Sequence, residues 1–77
     1  MRMIEKVITV FSKIFKLPES EINESVSRDN TVEWDSLNHL ILLTQIEKEF
    51  KIKFTASDTI KIKSFKDIIN ILKEKGF

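Results

Sequence analysis

A chain of 77 residues is one small domain whose core supplies only a few kcal/mol of net stability, which argues against a deep enzyme pocket. Hydrophobic residues at 42% and charged residues at 32% exclude disorder, and the lack of cysteine excludes both a disulfide framework and a thiolate metal site. The net charge of +1 divides into −2 over residues 1–35 (five basic, seven acidic) and +3 over residues 36–77 (eight basic, five acidic), and with a pI of about 8.0 it falls short of a nucleic-acid footprint.

Glu5 and Lys6 interrupt the first apolar stretch, so it is neither a secretory signal nor a membrane span, and the cytoplasm is the expected location. Ile4, Val7, Ile8, Phe11, Ile14 and Phe15 recur at i, i+3, i+4 spacing, while Glu5, Lys6, Ser12, Lys13 and Lys16 fall elsewhere on the wheel. That spacing predicts a first helix over residues 3–16. Pro18 ends it, because proline disfavours helical geometry in the residue before it, and then opens a short turn through Ile22. From Leu17 to Trp34 there is little periodicity, and a long loop in a compact domain is either disordered or functional. We expect it to be ordered, with Ile22, Val26, Val32 and Trp34 as apolar pins joining two parallel helices. Trp34 reads as a packing anchor rather than a ligand platform.

From Asp35 the chain continues Ser36-Leu37-Asn38-His39-Leu40-Ile41-Leu42-Leu43-Thr44-Gln45-Ile46-Glu47-Lys48-Glu49-Phe50, an apolar-rich run without Gly or Pro behind a good N-cap residue. A helix over residues 36–50 follows, with Leu42, Leu43, Ile46 and Phe50 in the core. Ser36 then occupies the first helical position. Unpaired backbone N–H groups and the positive end of the helix dipole favour an anion there, and a phosphodiester on the Ser36 hydroxyl suits the site. His39 lies three residues on, on the same side of the helix. It is placed either to touch such a phosphate or to act as a partly buried structural residue. A triad of Ser36, His39 and Asp35 is geometrically poor, because Asp35 adjoins Ser36 in sequence whereas the histidine needs its aspartate on the far side. One histidine without cysteine also leaves no credible zinc site.

Phe50-Lys51-Ile52-Lys53-Phe54 and Thr59-Ile60-Lys61-Ile62-Lys63 both alternate with period two around Thr55-Ala56-Ser57-Asp58, the pattern of a β-hairpin. An isolated two-stranded hairpin is marginal in water, which weighs against that reading. Ser64-Phe65-Lys66-Asp67 has the form of a capping box, and Phe65, Ile68, Ile69 and Leu72 continue it as a helical stripe to Lys75, with Gly76 as its stop.

The Asp35-Ser36-Leu37 tripeptide, Trp34 before it and Glu47, Glu49 and Phe50 at the end of the helix resemble the acyl carrier protein family, over most of the chain. The resemblance implies an all-α single domain over residues 1–77, a small four-helix bundle with a long loop between helices one and two. Its helices fall near residues 3–16, 36–50, 56–60 and 64–75, the short third one replacing the hairpin. It implies that Ser36 carries 4′-phosphopantetheine, attached covalently from coenzyme A by a phosphopantetheinyl transferase with a divalent metal, and that Asp35 both caps the helix and helps dock that transferase. His39 becomes a candidate contact to the arm or to the mouth of an acyl cavity. Leu37, Leu40 and Ile41 become a partner surface for acyl- or aminoacyl-loading, acyltransferase or synthase enzymes, with core packing the competing account of Leu40. A monomeric carrier without catalytic residues of its own is expected, binding neither nucleic acid nor membrane.

The serine-led helix departs from the strongly acidic helix of fatty-acid carriers, since its first carboxylate is Glu47. Trp34-Asp35-Ser36 looks closer to specialised carriers, including those that load amino acids or serve secondary and surface-glycan pathways. Two rivals compete with the carrier: a small helical nucleic-acid binder using Lys48, Lys51, Lys53, Lys61, Lys63 and Lys66, and an unmodified protein-interaction module using the Leu37, Leu40, Ile41 surface.

Overall fold

The stripe that begins at Ile4 folds as α1, Met3–Phe15, in a computed structural model that describes residues 2–77; Met1 lies outside the described residues. A 3-10 turn follows at Glu19–Glu21, then α2 at Ser36–Phe50, α3 at Ala56–Lys61 and α4 at Phe65–Glu74. The fold is the expected small all-α domain of four helices, and α2 has its predicted bounds. α1 buries Val7, Phe11 and Phe15, while Ile4 at the edge of the stripe stays partly exposed. It ends where Lys16 takes a left-handed conformation (φ 57°) and the Ser12 hydroxyl donates to the Leu17 carbonyl at 2.6 Å.

The long loop is ordered by bonds of its own. Asn30 accepts from the Ser27 amide at 3.0 Å and donates to the Ser25 carbonyl at 2.7 Å. The loop is also joined to the start of α4: Arg28 N–H donates to the Lys63 carbonyl and Phe65 N–H to the Val26 carbonyl, each at 2.9 Å, around an isolated antiparallel bridge between Ser27 and Ser64. Ile22, Val26 and Trp34 are buried as expected, but Val32 is not a pin and is 94% exposed. The Trp34 N–H bonds the Thr31 carbonyl at 3.0 Å, closing a turn whose tip is Val32, and Thr31 is buried in its place.

Residues 50–63 form no hairpin. Thr55 caps α3 in a complete capping box: its hydroxyl accepts from the Asp58 amide at 3.0 Å, and the Asp58 carboxylate accepts from the Thr55 amide at 3.1 Å. The box expected at Ser64 is only half made. The Ser64 hydroxyl accepts from the Asp67 amide, while the Asp67 carboxylate accepts from the Lys63 amide at 2.9 Å instead of from Ser64.

Phe11 stands at the centre of the core, edge-on to Phe15 at 5.4 Å, Trp34 at 5.4 Å and Phe65 at 5.2 Å between ring centroids. One side chain thus joins α1, the loop and α4. Phe11→Ala should lower the unfolding free energy by about 3–5 kcal/mol, read from urea denaturation midpoints. A loss below about 1 kcal/mol would contradict that central role.

Asp58 is held below its ordinary value of 3.8, first by the hydrogen bond from the Thr55 backbone, then, against the opposing pull of partial burial, by the Thr55 hydroxyl and the charges of Lys75 and Lys61. A depressed carboxyl stabilises the fold above its unfolded value and loses that contribution as pH falls through the folded one. Asp58→Asn should therefore lower the Tm at neutral pH and flatten the loss of stability below about pH 3.8. Parallel acid limbs for variant and wild type in thermal melts would refute this assignment.

Candidate functional site

The start of α2 is built by three neighbouring residues. Asp35 is extended, and its carboxylate accepts from the Asn38 amide at 2.8 Å, while its carbonyl takes the first helical bond from the His39 amide, also at 2.8 Å. The Asn38 side chain reaches back to donate to the Glu33 carbonyl at 2.8 Å, fixing the loop against the helix it feeds. Asp35 thus fills the N-cap role assigned from sequence. Ser36 is exposed as the first helical residue, and the first turn of α2 holds no carboxylate beyond the cap. The hydroxyl therefore stands in solvent at the positive end of the dipole, beside the Asp35 carboxylate that partly balances it, a position that fits an attached phosphodiester.

Leu37 is 66% exposed and Leu40 59% exposed, and Ile41 is also exposed, so core packing is excluded for Leu40. Two further apolar side chains stand out in solvent on segments tied to this end of α2. Val32 belongs to the turn that leads into Trp34, and Ile60, 74% exposed, follows the Thr59 whose carbonyl bonds α2. Sequence reading assigned neither to the site. Val32 was expected to be buried, and Ile60 sat within an alternating run where it looked equivalent to Ile62, which is fully buried.

His39 is only 5% exposed. Its Nδ1 accepts from the Trp34 indole N–H at 2.9 Å, which fixes the tautomer, since the indole can only donate. Nε2–H is then the donor to the Thr59 carbonyl at 3.1 Å. Both ring nitrogens are engaged inside the protein, so of the two roles weighed for His39 the structure supports the structural one: neither nitrogen is free to bond an arm, and the residue bridges the loop, through α2, to α3. Breaking the bridge would leave the buried Trp34 N–H and the partly buried Thr59 carbonyl without partners, the N–H at a cost of about 1–3 kcal/mol. The Trp34 ring meets His39 edge to edge through the indole N–H bond, with centroids 6.1 Å apart, and packs on Phe11 and Phe15, which makes it the packing anchor.

Charge gathers elsewhere. Lys48, Lys51 and Lys53 line the far end of α2 beside Glu47, whose carboxylate accepts from the Phe54 amide at 2.8 Å. Among the described residues no group of His, Asp and Glu has metal-site spacing, and no helix is long and apolar enough to cross a membrane.

A family model described as the phosphopantetheine attachment site matches residues 5–72. The chain belongs to that family, whose members are carriers rather than enzymes and bear a covalently attached 4′-phosphopantetheine group. Comparison with curated proteins finds no match. Among solved structures, the chain is similar to a Mycobacterium tuberculosis protein described as an acyl carrier protein, with a TM-score of 0.84 and 24% identity over 94% of this chain and 96% of that one.

Proposed function

We propose that the protein holds acyl or aminoacyl intermediates as thioesters on a phosphopantetheine arm at Ser36, in a specialised biosynthetic pathway rather than in bulk fatty-acid synthesis. The observation that carries this is the exposed Ser36 hydroxyl at the first position of a helix capped by Asp35. A phosphopantetheinyl transferase would supply the arm from coenzyme A, and the arm's terminal thiol provides the thioester chemistry. The chain's own residues present it. Asp35 fixes the backbone of the first turn and offers a carboxylate to the transferase, and α2 holds Ser36 clear of the core. Tethering then raises the effective concentration of the cargo at each partner's active site. The specialised pathway is supported by the lack of carboxylates on α2 before Glu47. The protein works as a single-domain monomer in the cytoplasm.

Co-expression with a broad-specificity phosphopantetheinyl transferase should add one phosphopantetheine mass, located on Ser36 by peptide fragmentation. Ser36→Ala should abolish the addition and leave the fold intact, because the first helical position packs against little and alanine favours helix. Asp35→Asn should keep most of the cap, whereas Asp35→Ala should cost about 0.5–2 kcal/mol, and both should slow loading. A chain that stays unmodified with several transferases would be an interaction module and not a carrier.

Leu37, Leu40 and Ile41, joined by Val32 and Ile60, form the proposed docking surface for loading and synthase enzymes. Few charges lie among them, so binding should change little between low and physiological salt, where exposed ionic contacts are screened. Leu40→Ala and Ile60→Glu should each weaken cognate binding. A steep salt dependence with both variants unaffected would move the surface to Lys48, Lys51 and Lys53.

A further inference from the structure

The arm's root and the bridge through His39 lie on the same side of α2, three residues apart. We propose that the Trp34–His39–Thr59 bridge locks the seam between α2 and α3 and keeps cargo outside the bundle, so that this carrier presents short or polar acyl or aminoacyl groups in solvent and does not shelter a long alkyl chain. The proposal rests on the carrier reading above and narrows its cargo.

An alkyl chain tethered at Ser36 that turned inward along this side of α2 would meet the His39 ring first. That ring is bonded to the Trp34 indole N–H on one side and to the Thr59 carbonyl on the other. Beyond it Leu42, Ile46, Ile62 and Ile68 are fully buried, so an entering chain must pass among core side chains. α3 offers no apolar wall in return. None of its residues is buried, Ile60 faces solvent, and its approach to His39 is through a backbone carbonyl. Opening the seam orphans the buried Trp34 N–H and the partly buried Thr59 carbonyl and disturbs the packed core behind them, so cargo gains nothing by entering.

The test loads Ser36 with acetyl-, butyryl-, hexanoyl-, octanoyl- and dodecanoyl-phosphopantetheine, using a transferase and the corresponding acyl-coenzyme A, and follows Tm against chain length. A chain that entered the bundle would raise Tm by roughly 3–6 °C per methylene in a domain of this size. Wild type should stay flat from acetyl to dodecanoyl. Trp34→Phe keeps an aromatic ring but removes the indole donor, and His39→Ala removes the bridge; in both, Tm should rise with chain length within the series. A wild-type rise at any chain length would overturn the proposal, as would variants that stay flat to dodecanoyl. Nitrogen-15 shifts of the unloaded protein check the lock independently: Nε2 should carry the His39 proton and the Trp34 indole N–H should exchange slowly, and the opposite tautomer or fast exchange would also overturn it. Intact mass separates the two failures, because a chain that takes no group at Ser36 fails as a carrier before the length series begins.

Discussion

The geometry around Ser36 depends on one side chain held from two directions. The body of Trp34 is packed into the α1 aromatics, and its N–H is bonded to His39 on α2. A domain of 77 residues without disulfides must still order an eighteen-residue loop, at about 1–2 kcal/mol of backbone entropy per residue. It does so with few anchors, each of which contributes more than its own contact. Tryptophan suits the task because it removes a large apolar area from water with only two side-chain torsions and still supplies one directional donor. The indole sets the loop, the loop sets Asp35, and Asp35 sets the first turn of α2.

The parts of this arrangement legible in the sequence are those decided locally. The stripe of α1 and the Asp35 cap of α2 follow from spacing and from a single residue's hydrogen-bonding capacity, and both appear where the pattern put them. The stretch from Phe50 to Lys63 resisted the same reading because two periods compete there. Ile60 and Ile62 share a face in a strand, but in α3 and the residue after it they diverge, one into solvent and one into the core. Thr55-x-x-Asp58 carried the decisive signal, a capping box inside an apparent hairpin turn. The ends of α1 and α2 fall within a residue of where the pattern put them, but the left-handed conformation of Lys16 and Lys51 that terminates them is usually given to glycine, and nothing in a lysine announces it.

His39 marks the limit of local reasoning at the site. Its spacing from Ser36 is readable from the helix period, and placing it on the same side of α2 was sound. Its role is set by Thr59, twenty residues away, and by Trp34, which reaches it only because the loop folds back over α1. Val32 errs in the same way. Its apolar character suggested burial, but the turn closed between Thr31 and Trp34 leaves no inward direction for its tip.

Charge along α2 follows from the dipole of the helix. Lys48 lies in the last turn and Lys51 just beyond it, near the negative end, where cations are favoured, while the first turn holds no carboxylate except the Asp35 cap. Twelve residues at 1.5 Å each put about 18 Å between Ser36 and Lys48, well beyond the screening length at physiological salt. The lysines therefore exert little field on a group at Ser36. On the proposed reading, an anion attached there would be stabilised by the local amides and the dipole, and an enzyme docking against the proposed Leu37, Leu40 and Ile60 surface would meet apolar side chains next to that anion. With so little charge in play, discrimination among partners would on that reading come from the shape of this surface and from the cargo itself, as the proposed dedicated pathway requires.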